Sequence, residues 1–214
     1  MSDKNIKLLN PKRGWKKDLL ETALGDAKEL RRVSDLKRRT DLEFRALSLE
    51  QLKNKLNLKN IPYRIEAYDI SNLGDKYRVG SMVVMEDGLT KPSMYRKFHV
   101  RSFKGQDDFR SIEEVLFRRL KRLNSEKEED QSFKRNPDLI LIDGGKGQYS
   151  VSRELLNELG LHDLPILAVA KGKRRNAGEE KIYHKNKEFI LDKRDPLLFF
   201  IQRLRDEAHR FAIN

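Results

Sequence analysis

The sequence predicts an α/β domain, a mixed sheet flanked by helices and preceded by a basic helical arm, and three observations carry that prediction. Three strand-like runs at residues 63–69, 79–86 and 94–100 are joined by short links, which implies an antiparallel meander. From residue 109 onward, helical and apolar strand patterns alternate, and that alternation is the mark of an α/β layer structure. Before about residue 60 the apolar residues recur at helical spacing among many Lys and Arg. The expected division is a basic helical arm over 1–60 and an α/β domain over 61–214.

Composition narrows the partners. The 214 residues carry 46 Lys+Arg against 34 Asp+Glu, a formal charge of +12. Such an excess points to a polyanion, most simply nucleic acid. An acidic membrane surface is the competing partner, but no strongly apolar amphipathic helix supports it. With no Cys, disulfides and thiolate metal sites are excluded. The first residues, Met1-Ser2-Asp3-Lys4-Asn5, have no apolar signal core, so a cytoplasmic protein is expected.

In the arm, Leu20, Ala23, Leu24, Ala27, Leu30 and Val33 predict a helix over 15–41. Ser48-Leu49-Glu50-Gln51 resembles a capping box opening a second helix to about residue 56. In the first strand Ile65, Ala67 and Asp69 share one side, and Asp87-Gly88 is a hairpin turn signal. The helix over 109–123 puts Ile112, Val115, Leu116 and Leu120 inward and Arg118, Arg119, Lys121 and Arg122 outward. Residues 125–136 are polar and read as a mobile surface loop.

The organising stretch follows. Leu139-Ile140-Leu141-Ile142 is a continuous apolar run, as expected of a strand covered on both faces. It ends on Asp143, at the carboxyl end where open α/β sheets place their ligands. Gly144, Gly145, Lys146 and Gly147 come next, a bare backbone and an ammonium that suit a phosphate. The nucleotide-binding phosphate loop needs Gly-Lys-Ser/Thr, and neither Gly145-Lys146-Gly147 nor Gly172-Lys173-Arg174 supplies it. A helix over 148–159 leads to a strand at 165–170 and then a basic loop containing Lys171 and Lys173. A small hairpin and a last helix opened by Pro196 complete the chain.

A crossover helix makes the strands on either side of it parallel, so the first strand can lie beside 139–142. Asp69 and Asp143 then meet at one sheet edge, where their repulsion invites a cation. Oxygen ligands favour Mg2+ or Mn2+, either of which can activate water and stabilise charge on a phosphate. On the last helix Gln202, Arg205, Asp206 and His209 form a row bordering the apolar stripe of Leu197, Ile201, Leu204 and Ala208. An Arg and a His placed there can contact phosphate, ligate metal or move a proton.

Three stretches closely resemble the carboxyl-terminal nuclease domain of the UvrC family: Ile65-Glu66-Ala67-Tyr68-Asp69-Ile70-Ser71, residues 139–148, and Arg205-Asp206-Glu207-Ala208-His209-Arg210-Phe211-Ala212. Shorter matches at 81–84, 105–109 and 169–172 extend the resemblance over about residues 60–213. It implies a ribonuclease H-like fold and metal-dependent incision of damaged double-stranded DNA, 5′ of the lesion, in nucleotide excision repair with UvrB. It further implies a catalytic set of Asp69, Asp143 and His209, with these three also holding the metal and Asp108 as a further acidic position linked to incision. Lys146, Arg205, Lys171 and Lys173 are candidate phosphate contacts from position and charge. The family's GIY-YIG nuclease, UvrB-binding segment and helix-hairpin-helix repeats are not seen in these residues, so the chain reads as a fragment or a reduced homologue. The rival readings are a DNA-binding or UvrB-docking module without nuclease activity of its own, and another ribonuclease H-like nuclease such as endonuclease V.

Overall fold

The computed structural model describes residues 10–73, 77–100, 108–123, 125, 128–171 and 180–214. The chain divides into two compact units, Met1–Phe44 and Arg45–Asn214. In the first unit the helical residues Leu19, Leu24, Leu30 and Leu36 stay exposed. Helix α1 (Trp15–Leu56) is one element, where the sequence suggested two. No Gly or Pro interrupts residues 41–56, so nothing breaks the helix, and Ser48 is buried within it instead of capping a new one. The helix ends where Asn57 takes a left-handed conformation (φ 48) and Leu58 N–H donates back to the Lys53 carbonyl at 2.9 Å.

The second unit holds an eight-stranded mixed sheet. Its strands are β1 (Arg64–Leu73), β2 (Tyr77–Glu86), β3 (Leu89–Thr90), β4 (Arg96–His99), β5 (Leu139–Asp143), β6 (Ile166–Ala170), β7 (Lys181–His184) and β8 (Lys187–Ile190). The order is β3-β2-β1-β5-β6-β7-β8, with β4 also paired to β2. The central pairs β1–β5 and β5–β6 are parallel, and the remaining pairs are antiparallel. The first strand therefore does lie beside 139–142, with Tyr68 opposite Ile142. Asp87 and Gly88 both take positive φ in the β2–β3 turn, as the two-residue hairpin requires.

Strand alternation splits the core in two. Ile65, Ala67, Val83, Leu139, Leu141, Leu167 and Val169 face helix α5 (Pro196–Ile213) and the last turns of α1. Tyr68, Met82, Val84, Ile140, Ile142 and Ala168 face helices α2 (Asp108–Leu120) and α4 (Lys146–Glu158). Residues 128–136 are not the loop expected from their polarity. They contain a helical turn, α3 (Gln131–Lys134), capped by Asp130 through Ser132 N–H, and Phe133 is buried in the second core. Arg119 is fully buried and not on the outer face of α2, because Glu66 waits for it near the start of β1.

Gly80 lets α2 approach the sheet: a Cβ there would lie 2.4 Å from Val115 Cγ2, itself fully buried. Gly80→Ala should therefore lower stability by about 1–3 kcal/mol, the usual range for overpacking, read as a shifted urea midpoint at unchanged slope. No helix among the described residues is long and apolar enough to cross a membrane.

Candidate active site

Asp69 lies one residue beyond the last parallel β1–β5 pair, and Asp143 is the final residue of β5. Alternation puts both on the α5 side of the sheet, the face of Ala67 and Leu141. There α5 packs with Leu197, Leu198, Ile201, Leu204 and Ala208 against the sheet, and the Ala208 carbonyl accepts from Ser81 Oγ at 2.8 Å. His209 follows that anchored residue, and Asp195 caps the helix by accepting from Leu197 N–H.

The outcome is a compact cluster. One ligand atom each from Asp69, Asp143 and His209 lie within 4.8 Å of one another. His209 Nδ1–H donates to Asp69 Oδ2 at 3.1 Å. Ser71 Oγ donates to the same oxygen at 2.5 Å. Ser71 was not singled out from the sequence, although its i, i+2 spacing from Asp69 places it on the same strand face. Asp69 is buried and His209 is half exposed, so the cluster opens to solvent on the imidazole side.

Burial, and next the neighbouring Asp69 carboxylate, push the Asp143 pKa up to about 6, against the opposing charges of Arg205, Lys171 and His209. The site is short of positive charge. Two carboxylate oxygens and an imidazole nitrogen suit a hard or borderline divalent cation, and a cation between the carboxylates would relieve their repulsion.

The remaining sequence candidates are spread around this centre. Lys146 is exposed at the first turn of α4, and Lys171 is exposed just past β6. Lys173 lies outside the described residues. Asp108 opens α2 on the other face of the sheet, outside the cluster, and its carboxylate is 3.7 Å from Arg78 Nη2. Arg205 is buried rather than presented to solvent and is paired with Glu180 and Asp206. The Gly144–Gly147 turn uses no left-handed glycine among its members. Its last glycine is needed for packing, since a Cβ on Gly147 would lie 2.2 Å from the Phe109 ring of α2. Gln148 accepts from Gly145 N–H at 2.9 Å and so caps α4.

A mixed parallel and antiparallel sheet with helices on both faces, and an Asp–Asp–His cluster at the carboxyl end of its central strands, defines a ribonuclease H-like domain. The profile of the UvrC RNase H endonuclease domain matches residues 53–213. UvrABC system protein C of Rhodopseudomonas palustris is 43% identical over 226 residues, covering 99% of this chain and 32% of that protein. The Streptomyces avermitilis protein of the same name is 38% identical, over 97% of this chain and 33% of its own. The chain belongs to the UvrC RNase H endonuclease domain family. It spans about a third of the length of the curated relatives it matches. Among solved structures, Ciona intestinalis endonuclease V bound to inosine-containing DNA aligns with a TM-score of 0.39 and 16% identity, over 61% of this chain and 56% of that one. Bacillus subtilis endonuclease V aligns with a TM-score of 0.35 and 14% identity, over 67% of this chain and 68% of that one.

Proposed function

We propose that this chain is the metal-dependent DNA endonuclease of nucleotide excision repair, making the incision 5′ of a lesion as part of the UvrABC system and acting with UvrB. The observation that carries the reading is the convergence of Asp69, Asp143 and His209 to within 4.8 Å in a member of this family. The two carboxylates would hold Mg2+ or Mn2+, with His209 as the third member. Bound there, the ion would neutralise charge developing on the phosphate and ease deprotonation of water.

The chain's own groups supply the rest. Ser71 and His209 both occupy Asp69 Oδ2, which fixes the carboxylate and leaves its other oxygen to face the cation. His209, half exposed beside it, accepts the proton of the attacking water. The water oxygen bonds to phosphorus as the P–O3′ bond breaks, and the departing 3′ oxygen takes up a proton. The products are a 3′-hydroxyl and a 5′-phosphate. The formal charge of +12 favours a polyanionic substrate, and the exposed Lys146 and Lys171 suit its phosphates. Asp108, outside the cluster, would act on incision without holding the ion.

The test is Mn2+ titration of nicking on a duplex carrying one bulky adduct, with UvrB present. Wild type should nick saturably on the 5′ side, and Asp69→Asn should lose more than about 100-fold, beyond the effect of changing an outer-shell partner. DNA bound without nicking at any Mn2+ concentration would favour a docking module instead. A preference for deaminated bases over bulky adducts would favour an endonuclease V-like activity.

A further inference from the structure

Arg205 lies one turn before His209 on α5, and only 7% of its surface is exposed. Its Nη1 is 3.3 Å from Glu180 Oε1, and its Nε and Nη2 are 3.1 and 2.8 Å from Asp206 Oδ1. Glu180, which immediately precedes β7 and is 3% exposed, also accepts from Gln202 Nε2 at 2.7 Å. A chain of polar contacts therefore runs Gln202–Glu180–Arg205 beside the Asp69–Asp143 edge. The Arg205 charge reaches Asp143, yet its ion pairs are made with Glu180 and Asp206 and not with Asp143. A guanidinium serving as a phosphate clamp presents its fork to the ligand. This one is withdrawn into the fold and engaged on both sides.

A buried cation next to two carboxylates is drawn toward them, since attraction grows as the local dielectric falls. If Arg205 closed on Asp143, it would occupy the oxygens a divalent ion needs. Building on the metal reading above, we infer that Glu180 is a positioning residue: with Gln202 it holds the Arg205 guanidinium away from Asp143 and keeps that carboxylate available to the cation. Arg205 then softens the repulsion between the carboxylates through space without consuming a ligand atom. Glu180 tunes metal affinity from outside the cluster, as outer-shell partners do elsewhere.

The experiment is a Mn2+ binding isotherm by electron paramagnetic resonance on the full chain, without DNA. Glu180→Gln is close in shape and removes the buried one of the two charges that hold Arg205, leaving the exposed Asp206. Its Mn2+ Kd should rise roughly 10-fold, the low end of outer-shell effects. Adding Arg205→Gln to that variant removes the competitor and should bring the Kd back toward wild type, which a merely structural role for Glu180 would not do. Gln202→Ala, at a partly exposed position, should move the Kd in the same direction by a smaller factor, and it stands in if Glu180→Gln does not fold. An unchanged Kd in Glu180→Gln beside a normal wild-type isotherm overturns the inference. Wild type that binds no Mn2+ overturns the metal reading itself, a separate and recognisable result.

Discussion

Asp143→Asn should abolish Mn2+ binding and, in the same protein, raise the stability of the metal-free fold near pH 7. The two effects share one cause. Burial and the Asp69 charge lift the Asp143 pKa from an ordinary 3.8 to about 6. The native state therefore holds this proton more tightly than the unfolded chain does. Stability falls as pH rises through the window from about 4 to about 6, and above it the ionised carboxylate exacts its full cost. At about 1.4 kcal/mol per pH unit, that cost is up to about 3 kcal/mol. Asn keeps the shape and removes the charge. In EDTA the variant should melt higher than wild type at pH 7.5, and the difference should vanish near pH 4. With Mn2+ the order reverses, because only wild type gains the binding free energy. Nicking should fall by more than about 100-fold, beyond the loss expected for an outer-shell change. Identical apo melting curves at pH 7.5 would mean that the Asp143 carboxylate carries no such burden. A site that destabilises the empty fold is the familiar exchange of stability for activity.

This centre was legible in the sequence because each of its residues sits on a regular element. Asp143 ends an apolar run and Asp69 follows the alternating Ile65 and Ala67, so strand alternation alone fixes the face they share. His209 falls on the border of a helical stripe that the structure buries as Leu197, Ile201, Leu204 and Ala208. Their neighbours were harder to read, since a partner brought by another element leaves no mark on local periodicity. Arg205 looked like a phosphate contact because Glu180 arrives from the start of β7, 25 residues away. Arg119 looked solvated because its carboxylate is 53 residues away, on another element. Polarity alone made 125–136 a loop, and only Phe133 in that stretch hints at burial. Asp108 was carried by resemblance, and nothing in its spacing locates it on the far face of the sheet.

The largest effect on folding is expected at that missed carboxylate, Glu66, which is fully buried. Its Oε1 accepts from Arg64 Nε and Nη2 at 3.1 and 2.9 Å and from Arg119 Nη2 at 2.8 Å. Its Oε2 accepts from Arg119 Nε at 3.1 Å and from the Tyr68 hydroxyl at 2.7 Å. The two guanidiniums reach on to the Ser132, Phe133 and Arg135 carbonyls, so Glu66 indirectly fastens the α3 turn to the sheet. Glu86 shares Arg64 at 3.0 Å, but among these contacts it has none with Arg119. Glu66→Gln leaves Arg119 as a buried cation without its counter-charge. Breaking a buried pair in this way costs about 3–5 kcal/mol, and for a domain of this size that lowers Tm by roughly 10 °C. Burying charges is itself expensive, so replacing the pair together, Glu66→Leu with Arg119→Met, should recover much of the loss. The network lies on the α2–α4 side of the sheet and the cluster on the α5 side, so Glu66→Gln protein held well below its melting point should bind Mn2+ as wild type does. A melting temperature unchanged by Glu66→Gln would show that water or repacking takes over the role of the carboxylate. A weakened Mn2+ isotherm in folded protein would instead couple the two faces through β1, three residues from Asp69.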